Sequence, residues 1–297
     1  MPNQYLTATL ILTSFLLTWA LEQPTLQNLQ DVPLDFDTFA YKPSDISGLS
    51  WGKITGNFKS TGNYYSAYYS TFSPSFFSYY PATHNGCLQL VKTSKSSTDF
   101  GCDYAINAGF FTWDITVSGS LCIGNLISDG KVWQLPTDGS GTGRANYGIT
   151  ADNTIVSGFI NSDVIANSNF TQLITGWGWL VRNGESYVAK SADLPTSPTS
   201  FTYAIAPRTV IGHFRNGTMI FLQYDGQEGI QWGPTLYEAA EVLVEMGVYA
   251  AVNLDGGGSS VSVYKGAYID FPTSTDKYPE IVERDVASFA CVRNKLL

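Results

Sequence analysis

The sequence is short of charge, of histidine and of methionine: charged residues are 14% of 297 positions, with 2 His and 3 Met. The charge present runs negative, 16 Lys and Arg against 25 Asp and Glu for a net of −9. That balance excludes nucleic acid as a partner, since phosphate backbones demand a basic face. An anionic ligand is still admissible if a local pocket of cations or backbone N–H groups receives it. Zinc-type spacing is missing as well, because the four cysteines contain no Cys-x-x-Cys pair and only His84 and His213 could assist them. Nothing demands a metal or another cofactor. Apolar runs long enough to span a bilayer are also absent. The nearest, Leu6 to Trp19, is too short, and Thr18-Trp19-Ala20 fits the small-residue rule for cleavage. Residues 1–20 therefore read as a signal peptide, although its start carries no Lys or Arg, and the mature chain from near Leu21 is expected to be soluble. No fixed-period repeat is visible, which excludes a propeller or solenoid.

Hydrophobic residues, at 44%, are enough for a packed core, and 18 Tyr, 17 Phe and 28 Gly suggest a β-rich secreted protein. In that setting Cys87, Cys102, Cys122 and Cys291 are disulfide partners, with three connectivities open. Asn169-Phe170-Thr171 and Asn216-Gly217-Thr218 are glycosylation sequons, consistent with the same route.

Residues 21–50 are polar, carry Pro24, Pro33 and Pro43, and read as an irregular N-terminal leader. One domain is expected over 51–297. Its opening stretch, Trp51 to Tyr80, is dense in Tyr, Phe and Ser, favouring strands, with packing a more common use of such rings than stacking on sugars. Hairpin turns are predicted at Asp129-Gly130, Asp152-Asn153, Asn183-Gly184, Asn216-Gly217 and Lys265-Gly266, each between apolar runs. One helix stands out. Thr235 to Glu238 is a capping box, Gly247 closes the segment, and Leu236, Ala239, Ala240, Leu243 and Val244 form one apolar face. The expected class is α+β: a mixed, mostly antiparallel sheet assembly with few helices in a single catalytic domain.

That helix leads into an apolar run, Tyr249 to Leu254, which ends in Asp255, Gly256, Gly257, Gly258, Ser259 and Ser260. A glycine run is a tight turn or an anion cradle, because the missing Cβ lets backbone N–H groups converge. An aspartate on a strand end gives a rigidly held carboxylate. Other polar groups end or start apolar runs: Asn107 after Tyr104 to Ile106, Asp225-Gly226-Gln227, and Pro207-Arg208-Thr209. Arg208 offers a planar fork for phosphate or carboxylate, or a structural ion pair. His213 is an acid/base candidate or a hairpin residue, and Asp225-Gly226 a site or a turn.

Taken together, these segments resemble the phosphodiester glycosidase family. The matching residues are Asn107-Ala108-Gly109-Phe110-Phe111, Cys122-Ile123-Gly124-Asn125-Leu126-Ile127-Ser128-Asp129-Gly130 and Tyr147-Gly148-Ile149. They continue through Trp179-Leu180-Val181-Arg182-Asn183-Gly184, Arg208-Thr209-Val210-Ile211-Gly212-His213, Asp225-Gly226-Gln227 and Asn253-Leu254-Asp255-Gly256-Gly257-Gly258-Ser259. They run in the family's order from about Cys87 to Cys291. The family pattern Asn-Gly-Gly-Tyr-Phe is altered here to Ala108 and Phe110, which removes a tyrosine hydroxyl at that point. Animal members of the family carry an EGF-like module, a membrane span and a cytoplasmic tail beyond the catalytic part. None follows Leu297, giving the expectation of a soluble lumenal or secreted form.

The resemblance implies the pairings Cys87–Cys122 and Cys102–Cys291. It also implies hydrolysis of a sugar 1-phosphodiester, typically α-linked N-acetylglucosamine on a phosphorylated glycan or glycoprotein, uncovering mannose 6-phosphate. Phosphate is a good leaving group, so the site needs chiefly a carboxylate for water or the oxocarbenium ion, and a phosphate cradle. On that basis Asp255 is the first-choice carboxylate and Asp225 the second. Arg208 and the Gly256, Gly257 and Gly258 amides are expected as the cradle, Asn107, Asn253 and Ser259 as hydrogen-bonding groups for substrate, and His213 as a secondary acid/base. Two other readings compete: a non-catalytic phosphoglycan-binding module, and a glycosidase of another phosphodiester-linked polysaccharide. Paired strand-end carboxylates beside an anion cradle favour catalysis.

Overall fold

The structure, a computed structural model, describes residues 34–43, 48–115, 119–136, 143–273 and 281–293. The signal peptide expected over 1–20 and most of the leader lie outside the described residues.

Three antiparallel sheets carry the fold. The central seven-stranded sheet runs, in spatial order, Glu185–Ser186, Trp179–Arg182, Val248–Asn253, Arg208–Phe214, Met219–Tyr224, Tyr64–Phe72, Ser50–Asn57. A five-stranded sheet holds Ala267–Tyr268, Ser262–Tyr264, Tyr104–Asn107, Ser288–Val292 and Phe77–Pro81. A six-stranded sheet is ordered Asp35–Ala40, Thr154–Phe159, Ala145–Thr150, Phe170–Thr175, Leu126–Ser128, Lys131–Gln134. The single parallel contact among the described residues is an isolated bridge between Thr273 and Val282. With three α-helices among the described residues, Thr93–Asp99, Ser162–Asn167 and Leu236–Glu245, the chain is α+β as its patterning implies.

Strand alternation sorts the core into layers, because successive side chains leave a strand on opposite faces. In the central sheet Ile211, Phe221 and Val252 join a core with Ile106 and Ala290 of the five-stranded sheet and Tyr147 and Ile149 of the six-stranded one. The opposite face, with Val210, Ile220, Leu222 and Ala251, packs on Leu236, Ala239, Ala240 and Leu243 of the long helix. That helix starts at the capping box, where Thr235 Oγ1 accepts from the Glu238 N–H and the Glu238 carboxylate accepts from the Thr235 N–H. It stops before Gly247, whose φ of +81° suits glycine. Val242 and Glu238 are buried as well, so the covered face is wider than the apolar pattern alone indicates.

All five predicted hairpin turns separate adjacent paired strands. Disulfides join Cys87 to Cys122 and Cys102 to Cys291, each with Cα atoms 5.5 Å apart. No helix among the described residues is long and apolar enough to cross a membrane.

Part of the stretch read as an irregular leader is a strand. Asp35–Ala40 pairs along its whole length with Thr154–Phe159, and Arg182 clamps it through Asp35 at 2.8 Å and Asp37 at 2.7 Å. Proline content hid it, since alternating Asp35-Phe36-Asp37-Thr38-Phe39 is an edge-strand pattern. Phe39 from this strand then covers His213, with ring centroids 4.9 Å apart. His213 faces the three-sheet core, where its Nδ1 meets the Tyr147 hydroxyl at 2.9 Å. Burial drives its pKa from 6.5 to about 3. The ring is neutral in the fold at any ordinary pH, and it stands five residues along its strand from Arg208, far from the glycine turn.

The unfolded chain protonates His213 near pH 6.5, whereas the folded chain resists protonation until about pH 3. The stabilisation from a neutral His213 is therefore complete above pH 6.5 and is lost progressively as pH falls toward 3. Chemical denaturation at pH 7.5 and pH 5 is expected to show His213 costing about 2 kcal/mol at the lower pH. His213→Gln, which keeps an acceptor for Tyr147, should remove that share of the pH slope; an unchanged slope would contradict the assignment.

Candidate active site

The Val248–Asn253 strand is central in its sheet and buried over most of its length, and the turn at its end is held from both sides. The Leu254 N–H donates to Thr209 O at 2.8 Å, the Asp255 N–H to Ala108 O at 2.9 Å, and the Gly257 N–H to Pro207 O at 2.9 Å. Asn107 braces the turn from beneath. Its Nδ2 donates to Asp255 O at 2.6 Å, while its Oδ1 accepts from Thr209 Oγ1 at 2.8 Å and the Val261 N–H at 3.2 Å. Asn253 lies equally deep, its Nδ2 donating to Trp177 O at 3.1 Å and Leu254 O at 2.8 Å. Both asparagines are fully buried; Asn107 is spent on the turn, while Asn253 keeps its Oδ1 without a hydrogen bond among the described residues. A strand-end asparagine looks the same in sequence whether it faces outward or inward.

Asp255, half-buried at the turn, is surrounded by Ser259, Arg284, Glu228 and the Gly256 amide. Burial lifts its pKa from 3.8 to about 6; the Ser259 hydroxyl, the Arg284 charge and the Gly256 N–H oppose the rise, and Glu228 adds to it. A carboxyl that changes protonation near neutrality on a rigid strand end is equipped for acid/base work.

The glycines have a steric role. A Cβ on Gly257, whose φ is +57°, would fall on the Glu228 carboxylate, and one on Gly258 would fall on Arg284 Nη2. The turn therefore passes between an acid and a base that press against its backbone. The expected amide cradle is mostly spent on the protein itself, with the Gly256 N–H serving Asp255 and the Gly257 N–H serving Pro207. The positive charge beside Asp255 is Arg284, whose Nη1 also reaches Ser259 Oγ at 3.4 Å. Glu228 and Arg284 escaped the sequence reading. Glu228 sits just beyond the Asp225-Gly226-Gln227 turn, and Arg284 lies in Glu283-Arg284-Asp285, a charge run that stands out in a chain so poor in charge.

Arg208 and Asp225 share this end of the sheet on opposite faces, and Arg208 runs beside Gly256 of the turn, close enough to Glu228 to feel its charge. Arg208 pairs with Tyr224, so Asp225, one residue on, leaves the sheet by the opposite face. Arg208 turns to the helix side, buried, where Nη2 donates to Phe201 O at 3.1 Å and to Ala204 O, and Nε to Pro234 O at 3.5 Å. Its guanidinium thus stitches the segment before the strand to the start of the helix. Asp225 accepts from Ser66 Oγ at 2.6 Å and the Phe271 N–H at 3.1 Å, buried between sheets. His213 stands apart from both.

An aromatic cluster packs next to the segments that hold the turn. Trp177 and Phe201 stack with centroids 4.4 Å apart and planes 13° apart, and Phe110 meets them edge-on at 5.7 and 6.1 Å. The Arg144 guanidinium caps the stack 4.3 Å from Trp177, and Arg208 closes the far side 4.6 Å from Phe201. Phe110 is two residues from Ala108, which receives the Asp255 N–H, and Trp177 donates its backbone N–H to Asn253 O at 2.9 Å. Phe201 has Trp177 on one face and Arg208 on the other, so half-buried Phe110 is the ring of this cluster that offers a ligand apolar surface.

The family model for phosphodiester glycosidases matches residues 100–293. Mouse N-acetylglucosamine-1-phosphodiester alpha-N-acetylglucosaminidase is 35% identical over 204 residues, covering 65% of this chain and 38% of the mouse protein. The human protein of that name is 36% identical over 204 residues, again with 65% and 38% covered. The chain thus spans about two fifths of the length of these relatives. The zebrafish catalytic domain of that name, solved as a form auto-inhibited by its pro-peptide, superposes with a TM-score of 0.78 at 27% identity, covering 90% of this chain and 92% of that one. A Synechocystis protein shares the fold alone, at TM-score 0.59 and 16% identity.

Contact between Glu228 and the Gly257 backbone makes a double-mutant cycle informative. Gly257→Ala should cost about 1–3 kcal/mol in denaturant unfolding, from the left-handed φ and the displaced carboxylate. Adding Glu228→Ala should return about 1 kcal/mol of it. Strict additivity would show that the carboxylate does not press on the turn.

Proposed function

Since the chain belongs to the phosphodiester glycosidase family, we propose that it hydrolyses the glycosidic bond of a sugar 1-phosphodiester, with α-linked N-acetylglucosamine as the sugar. The observation that carries this reading is the Asp255 carboxyl, lifted to about 6 and enclosed with Arg284, Glu228 and Ser259. Phosphate leaves readily once the anomeric C–O bond stretches, so little proton donation is required of the protein. What is required is negative charge near the developing oxocarbenium ion, a base for water and a cation for the departing phosphate. Ionised Asp255 serves as that base, Glu228 adds the second carboxylate, and Arg284 receives the phosphate. Gly256, Gly257 and Gly258 let these groups close in, and Ser259 orients Asp255 by its hydroxyl.

Phe110, backed by the Trp177 and Phe201 stack, offers apolar surface to the sugar ring. The family resemblance implies uncovering of mannose 6-phosphate on a glycoprotein as the physiological form of this reaction. Two disulfides, together with Asn169 and Asn216 on exposed turns, support an oxidising compartment, the secretory lumen or the cell exterior.

The reaction is tested with N-acetylglucosamine-α-phosphomannose in oxygen-18 water. Cleavage at the glycosidic bond puts the label on the sugar's anomeric hydroxyl; label on phosphate would mean a phosphodiesterase, and binding without turnover a lectin-like module. Asp255→Asn should lower kcat by at least ~100-fold with the fold intact. In the parent enzyme kcat/KM should fall about tenfold per pH unit below pH 6, where Asp255 gains its proton. A pH profile flat from 7 to 5 would remove Asp255 as the base.

A further inference from the structure

Behind the turn, between the central and five-stranded sheets, a set of buried oxygens lacks close partners. On the central sheet Ser66, Tyr68 and Ser70 stand opposite Asp225, Gln223 and Phe221, all on one face. Facing them from the other sheet are Tyr104 and Ser262, with Asp270 just beyond. Six side-chain oxygens here lack a close hydrogen bond among the described residues, Ser70 Oγ, Tyr104 OH, Gln223 Oε1, Ser262 Oγ and both oxygens of Asp270, with only longer approaches between Tyr104 and the two serines and from the Ser262 N–H to Asp270. They form one place. Ser70 and Ser262 stand beside the Tyr104 hydroxyl, which senses the Asp270 charge; Asp270 senses Asp225, and Asp225 neighbours Gln223. Ser70, Tyr104 and Ser262 are wholly buried, and Asp270 is 9% exposed.

Unpartnered buried polar atoms are rare in folded proteins and are satisfied by water or an ion when they occur together. Three hydroxyl protons could satisfy three of these acceptors, but hydroxyls do nothing for the charge of two neighbouring buried carboxylates. The basic group facing Asp225 is Lys53, exposed at the rim and drawn over the Tyr68 ring at 5.1 Å. Glu283 adds a third negative charge near Asp270, although its own carboxylate is held by Ser94 through N–H and Oγ.

We propose that this chamber binds a hard cation of the calcium class, ligated by Asp270 and Gln223 and, through water held by the hydroxyls, by Asp225. All its donors are oxygen, the set that suits calcium and disfavours softer transition metals. No group of three or more His, Cys, Asp or Glu side chains suited to a metal occurs among the described residues, so the ion rests on two carboxylates plus neutral oxygens. Such a sparse set of charges gives the modest affinity of extracellular modules, about 10⁻⁴–10⁻³ M. Burial pushes both carboxyl pKa values up, and the Asp225 charge adds to the rise at Asp270, as it must where two acids share a space of low dielectric. Gln223 lies across the sheet from Thr209, the residue that donates to Asn107 under Asp255. An ion here would therefore stiffen the floor of the glycine turn without entering its chemistry.

The test is calcium binding to the full chain, by equilibrium dialysis and by thermal unfolding in about 5 mM calcium against EDTA at matched ionic strength. One calcium per chain and a melting temperature raised by about 2 °C or more are expected. Asp270→Asn should abolish both; should that variant fold poorly, Gln223→Met, which removes one ligand oxygen and keeps the chain length, should weaken binding at least ~10-fold. No bound calcium and equal melting temperatures in the parent protein would overturn the proposal, leaving a chamber of water and a shared proton. Binding that survives intact in the folded variants would overturn it too, by locating the ion elsewhere.

Discussion

One steric constraint governs the active site: between Asp255 and Ser259 the backbone has no room for side chains. Glu228 lies against Gly257 and Arg284 against Gly258, so a carboxylate and a guanidinium approach the main chain more closely than any Cβ would permit. Asp255, one residue before the first glycine, is thereby enclosed by groups that no single element supplies. The central strand provides Asp255, the turn after Met219–Tyr224 provides Glu228, and the segment before Ser288–Val292 provides Arg284. Enclosure raises the pKa of Asp255, and the placement of opposite charges on either side keeps that rise within a range useful near neutrality.

Precision at this point is inherited from the sheets. Asp255 hangs from backbone bonds to Ala108, and its neighbours from bonds to Thr209 and Pro207. The Cys102–Cys291 bridge ties the strand after Asp103 to the last strand, so the element bearing Asn107 and Ala108 cannot shift without moving its partner. The Cys87–Cys122 bridge holds the base of the loop that leaves Phe110, since Leu121 donates to Cys87 O and Ile123 to Phe110 O. The two disulfides thus brace opposite sides of the aromatic cluster and the turn.

Much of this was legible in the sequence for plain reasons. The hairpins carry residues that tolerate positive φ, including Asp129, Asn153, Asn183 and Lys265, and the long helix carries its own start and stop signals. The short helices Thr93–Asp99 and Ser162–Asn167 were not legible, because neither presents an apolar stripe of helical period. Within the site, residue types pointed to the right end of the sheet, yet facing could not be read. Arg208 and Asp225 sit one register step apart, and that step sends one to the helix side and the other between sheets. Asn107 illustrates the same limit, as an amide that could serve a ligand or the protein and here braces the turn. Glu228 and Arg284 were hidden because each acts through a glycine far away in sequence.

Enclosure of Asp255 by the clamped turn, and no property of the residue by itself, prepares it for chemistry near neutral pH. The direct measurement is a carbon-13 NMR titration of the Asp255 carboxyl in the intact protein, assigned by its loss in Asp255→Asn. A midpoint of about 6 is predicted. A midpoint near that of a solvated aspartate, about 4, would contradict the role given to enclosure.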